Sequence, residues 1–214
     1  MVEFLKIMAV GATLALTASN ATATTISLSA SDDGLFGEND LKELIYRELN
    51  GEKSWVYAGA FHFNDGIEDF IAFCIEPGVD LNLMEVFTTG MNPLSAEVMG
   101  NVGALFEVAY DTALDSALNA AAFQTALWEI VAETSGTFDV ASGNHMVMTM
   151  DVRDAANALL SALGPVAATS FTYETYSNSG QDQIRVQPVP LPAGILLLLT
   201  AIGGLGLTRR IRAD

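Results

Sequence analysis

The chain has 214 residues, half of them hydrophobic, with a formal net charge of −17 and one cysteine. That length accommodates a single domain with a real core once two processed-looking ends are set aside. The absence of any basic footprint excludes nucleic acid as a partner, and a lone cysteine excludes an intramolecular disulfide. The charge is concentrated in residues 24–190, which carry 24 acidic and 5 basic side chains for a net of −19. Such a surface suits solubility in a salty or calcium-rich exterior. With His62, His145 and Cys74 as the complete set of nitrogen and sulfur ligands, no zinc spacing exists, and no cofactor is expected.

Residues 1–23 read as a signal peptide: Lys6 at the charged start, an apolar run over Ile7–Leu16, and Ala21-Thr22-Ala23 as a small-x-small cleavage site, with Glu3 the one discordant residue. Thr24–Asp33 is small and polar, suited to extended structure. Asn39 or Asp40 can cap a helix to Leu49, with Leu41, Leu44, Ile45 and Leu49 at helical spacing and Asn50-Gly51 as its stop. Ser54–Phe63 and Ile67–Ile75 are aromatic and β-branched, and Asn64-Asp65-Gly66 between them predicts a hairpin. Glu76-Pro77-Gly78 then ends the second strand directly after Cys74. Further helices are expected over Ser95–Tyr110, over 117–133 up to Ser135-Gly136, and from Asp151 to Gly164-Pro165, with a loop or short strand at 138–143. Phe171–Tyr176 and Gln183–Val186 predict a closing hairpin across Asn178-Ser179-Gly180. Strands at both ends with helices between them predict an α+β fold, a helical segment packed on a small antiparallel sheet or sandwich.

One residue in this pattern is out of place. Wound at 3.6 residues per turn, 117–133 gathers Ala117, Ala120, Ala121, Leu127, Trp128 and Val131 on one face with Gln124 at its centre, and sends Thr125, Glu129 and Glu133 to a face expected to be wet. An amide in an apolar surface costs a few kcal/mol unless satisfied. Either a neighbouring backbone satisfies it, or the carboxamide is consumed in a bond to Cys74. Phe73-Cys74-Ile75 followed by Phe123-Gln124-Thr125-Ala126-Leu127-Trp128 resembles the two signature blocks of thioester domains, surface-protein modules in which a cysteine condenses with a distant glutamine and ammonia leaves. Phe123 stands where that family often has Thr, and Leu127 where it often has Ile. The resemblance spans about residues 55–165 and implies Cys74 and Gln124 as bond partners, with Phe73, Phe123 and Trp128 as their pocket. It also implies acylation of an amine or hydroxyl on a target surface. Read from the residues alone, Phe123 and Trp128 serve equally well as core, and Cys74 as a small buried hydrophobe.

The last block runs from Val189-Pro190-Leu191-Pro192-Ala193 through an apolar stretch to Leu207, then Arg209, Arg210 and Arg212. The stretch is short for a membrane span, and the arginines would place the preceding domain outside the cytoplasm. This order resembles the VPLPA variant of the PEP-CTERM sorting signals of Gram-negative bacteria, which implies recognition by an exosortase-type membrane enzyme after export and signal-peptidase cleavage. The expected organisation is a signal peptide over 1–23, a thioester-like extracellular domain over 24–187, and a sorting segment over 188–214. The expected destination is the cell surface or matrix, with a structural matrix protein lacking the bond as the alternative. An enzyme reading, a cysteine hydrolase using Cys74 with His62 or His145 as base, requires an imidazole within reach of the sulfur. The acidic groups Asp32, Asp33 and Asp65, Glu68, Asp69 lack the ordered spacing of a calcium loop.

Overall fold

A computed structural model describes residues 24–90, 93–133, 136–164 and 170–189. Residues 1–23, expected to be a signal peptide, and Pro190–Ala193 and the arginines 209, 210 and 212 of the expected sorting segment lie outside the described residues. In chain order the elements are β1 (Thr25–Ile26), β2 (Ser29–Ala30), β3 (Lys42–Leu49), β4 (Glu52–Gly59), β5 (Phe61–Asn64), β6 (Asp69–Cys74), β7 (Phe87–Thr89), α1 (Ala96–Ala113), α2 (Ala117–Ala132), β8 (His145–Val147), α3 (Met150–Ser161), β9 (Phe171–Ser177) and β10 (Gln183–Pro188). Among the described residues, three helices and two antiparallel sheets make the fold α+β. The larger sheet has the order β1-β7-β9-β10-β6-β5-β2, the smaller β4-β3-β8. No described helix is long and apolar enough to cross a membrane.

The helix expected up to Leu49 is a strand. Residues 42–49 pair along their whole length with 52–59. Asn50 (φ 51°) and Gly51 (φ 87°) form the two-residue turn between them, both in the left-handed region that Asn-Gly hairpins require. The spacing of Leu41, Leu44, Ile45 and Leu49 mimics a helix, but Leu44 is half exposed, and the inner face of β3 is Ile45 and Arg47. The segment expected as one strand over 54–63 is two. The chain breaks at Ala60, whose N–H donates to Leu41 O, and passes from the small sheet to the large one. The hairpins across 64–66 and 178–180 form as their turn residues predict, joining β5 to β6 and β9 to β10.

Helix α2 is the central element, packed on α1, α3, β3, β4, β6 and β8. Ser116 caps it, its Oγ accepting from Asn119 N at 3.2 Å. Every residue from Ala120 to Ile130 is buried, so the wet face expected for Thr125 and Glu129 is covered as well. The small sheet and α3 account for this, because together they pack the side of α2 that one sheet alone would leave open. The other side meets an aromatic cluster: Phe73 of β6 lies 4.5 Å from the Phe123 ring, and Phe106 of α1 meets Phe123 edge-on at 4.9 Å.

The turn between β3 and β4 should be sensitive to side chains that resist positive φ. Gly51→Ala is expected to destabilise the fold by about 1 kcal/mol, read as a lower urea midpoint with an unchanged slope.

Candidate functional site

Cys74 is the last residue of β6, and along β10 it pairs with Gln183. Ladder alternation sends the N–H and C=O of Cys74 the opposite way, toward β5. There β5 has already ended, since its pairing with β6 stops at Phe61 and Ala72 and the chain leaves for the other sheet. Gln124 fills the gap. Cys74 N donates to Gln124 Oε1 at 2.8 Å, and Gln124 Nε2 donates to Cys74 O at 2.8 Å. The carboxamide thus takes the place of the missing strand, and the buried amide flagged in the sequence is satisfied by backbone.

The Cys74 sulfur is fully buried and accepts from Glu76 N at 3.3 Å. Burial pushes the thiol up to about 12, so it is protonated at neutral pH. The Trp128 indole, the Glu76 N–H and the Arg47 cation act in the opposite direction and favour the thiolate. Trp128 sits one turn after Gln124 on α2 and is buried; its N–H makes no hydrogen bond of standard geometry. Phe73 and Phe123, also expected at the pocket, meet in a tilted contact on the α1 side, where Phe73 also meets Phe106 edge-on.

Sequence reasoning missed Arg47 and the burial of His145 and Glu129 with it around Trp128. Arg47 is only 4% exposed and lies 4.6 Å over the Trp128 ring, with Nε and Nη1 unpaired. His145 stands edge-on to the same ring at 5.9 Å, fully buried, and neither nitrogen has a partner. Its Nδ1 is 3.8 Å from Glu129 Oε2, too long for a hydrogen bond. Glu129 Oε1 accepts from Asp139 N at 2.9 Å. Burial drives both groups toward neutrality: it holds His145 down near 3, with Arg47 adding to the effect, and raises Glu129 to about 7. Asn50-Gly51 is the sequence signal that would have found Arg47, because a hairpin there places it on the inner face of β3. Neither His145 nor His62 hydrogen-bonds the sulfur.

The acidic residues near the β5–β6 hairpin have partners within the fold. Asp65 Oδ1 accepts from Ile67 N and Glu68 N, Glu68 pairs with Arg185, and Asp69 accepts from Asn64 Nδ2. Among the described residues no cluster of three or more ligating side chains could hold a metal ion.

Arg47 and Trp128 also line a cleft of about 630 Å³ along β4, walled opposite by Phe36 and the loop around Val79 and Asp80. It brings the surface to within one side chain, Trp128, of the Cys74 sulfur. Comparison of the chain with protein families, with curated proteins and with solved structures gave no match.

The raised Glu129 carboxyl gives a pH signature. Because its folded value of about 7 exceeds the ordinary 4.5, the stability linked to its proton is present below pH 4.5 and is lost as pH rises to about 7. His145, lowered from 6.5, works the other way, its contribution being lost as pH falls from 6.5 toward 3. In urea unfolding from pH 5 to 8 the two contributions therefore offset each other up to about pH 6.5 in the native protein, and Glu129→Gln, which removes one of them, should uncover a rise in stability over that range. A profile unchanged by Glu129→Gln would contradict the raised Glu129 carboxyl.

Proposed function

We propose that this chain is an exported surface protein whose domain carries an intramolecular thioester between Cys74 and Gln124, used for covalent adhesion to a target surface or matrix. The observation that carries the reading is the pair of 2.8 Å hydrogen bonds that fixes the Gln124 carboxamide on the backbone of the cysteine itself. Two residues separated by fifty positions are thereby held in one place, which is what an amide, a poor acyl donor, needs before a thiol can attack it.

The contacts support particular roles. As the sulfur adds to the Gln124 carbonyl carbon, negative charge develops on Oε1, where Cys74 N–H already donates. The C–N bond then breaks, the thiol proton is carried away on nitrogen, and ammonia leaves while the C–S bond remains. Arg47, a buried cation with unpaired nitrogens, favours the thiolate on the way. Complete burial of the sulfur guards the product from hydrolysis. An amine or hydroxyl then attacks the same carbon, forming an amide or ester on Gln124 and returning Cys74 as a thiol. Phe73 and Phe123 hold β6 against α2, while Trp128 closes the route from the cleft.

Export and sorting complete the proposal on sequence grounds: a signal peptide over 1–23, and a VPLPA-type tail over 188–214 handled by an exosortase-type enzyme in a Gram-negative cell envelope. A structural matrix protein is the second reading, favoured by the fact that the same two hydrogen bonds satisfy a free carboxamide completely.

Methylamine distinguishes the two. In the thioester protein Cys74 resists alkylation even after denaturation, and methylamine treatment releases a titratable thiol and leaves a methylated amide at Gln124. Cys74→Ala abolishes both effects. Alkylation of denatured protein without prior amine would overturn the thioester and leave the structural reading.

A further inference from the structure

The strand β4 forms the edge of the small sheet. Its pairing with β3 starts from Leu49 and Glu52, which flank a two-residue turn and are therefore a mutually hydrogen-bonded pair. Alternation makes Ser54 and Val56 bond inward as well, and turns the N–H and C=O of Lys53, Trp55 and Tyr57 away from the sheet. Among the described residues no backbone group pairs with these three. The 630 Å³ cleft runs along this edge. Beyond Lys53 the open edge reads Ser-Trp-Val-Tyr, an uncharged stretch rich in strand-forming residues of the kind folded proteins ordinarily cover or break with charge.

We propose that this cleft docks an extended, lysine-bearing peptide segment of the target, which adds as a strand to β4 through Lys53, Trp55 and Tyr57 and carries its amine toward Trp128 and Cys74. Backbone bonds of this kind supply affinity with little demand on sequence, and side-chain pockets supply the choice. The net charge of −19 over residues 24–190 draws a basic segment to the domain, and at the cleft Glu52 and Asp80 stand beside Lys53 and Arg47. Arg47 at the floor then disfavours a second cation beside it, so a lysine amine arriving there is shifted toward its neutral, nucleophilic form. The covalent step rests on the thioester reading. The amine nitrogen bonds to the Gln124 acyl carbon, the C–S bond breaks, and the proton lost by the amine ends on the Cys74 sulfur. Cys74 is fully buried, so this step follows displacement of the Trp128 ring.

Docking is tested apart from the chemistry by using the Cys74→Ala protein, which cannot acylate. The probe is a capped peptide in which lysine alternates with valine, compared with the same peptide N-methylated on the amides that would face β4. Amide exchange followed by NMR should show Lys53, Trp55 and Tyr57 exchanging rapidly in the free protein and slowing about tenfold or more with the first peptide, as added strand pairing requires. The N-methylated peptide should leave them unchanged. Trp55→Pro removes an outward N–H without a bond to β3, so the fold survives while peptide affinity falls about tenfold. Trp55→Ala separates this loss from that of the ring, which lies tilted against Tyr46 at 5.0 Å. Equal binding of the N-methylated peptide, protection elsewhere, or protection of these amides by a second copy or by an oligosaccharide in place of the peptide would overturn the proposal. Docking to Cys74→Ala with no adduct on the native protein would overturn the thioester and leave the docking site standing.

Discussion

A single side chain closes the seam between the two sheets. Where β5 ends and the chain crosses to the small sheet, β6 is left with one N–H and one C=O facing the interior at Cys74. Burying that pair unsatisfied would cost about 1–3 kcal/mol for each group. The Gln124 carboxamide offers one acceptor and one donor at the spacing of a strand, and α2 presents it there because the alanines at 120, 121 and 122 keep the helix slim enough to lie between the sheets. This contact ties α2 to the end of β6, beside the buried Cys74 sulfur.

From it follows the polar arrangement around Trp128. A helix buried along eleven consecutive positions, 120 to 130, has no solvent side on which to leave Thr125 and Glu129. Glu129 finds the Asp139 N–H and is driven toward its neutral form, and His145 is neutral for the same reason. Arg47 differs, because a guanidinium does not discharge and no carboxylate of the described residues pairs with it. It rests on the Trp128 face instead, a cation held between the cleft and a thiol. Such concentration of unsatisfied polarity next to one nucleophile and one carboxamide is unusual for a core that serves packing alone.

Much of this was legible in the sequence. Gln124 announced itself as an amide among apolar residues, Glu76-Pro77-Gly78 ended β6 at Cys74, and the turns at 64–66 and 178–180 gave two hairpins. What misled was β3. Leu41, Leu44, Ile45 and Leu49 fit a helical stripe, and Asn50-Gly51 serves as a helix stop or a hairpin turn with equal ease. Only the pairing partner at 52–59 decides, and that is a long-range fact of packing rather than of local pattern. The error carried forward: without the small sheet the second face of α2 had nothing to cover it, so Glu129 was expected in water and Arg47 was overlooked. The strand at 145–147 is three residues long and lacks periodicity to detect.

The intact mass of the protein, purified without amines and measured under denaturing conditions, tests the central claim most directly. The account predicts a mass one ammonia below that of the processed sequence, with the deficit localised to a crosslinked pair of peptides containing Cys74 and Gln124. Full sequence mass would contradict it, and would make Gln124 a structural amide that finishes the edge of β6.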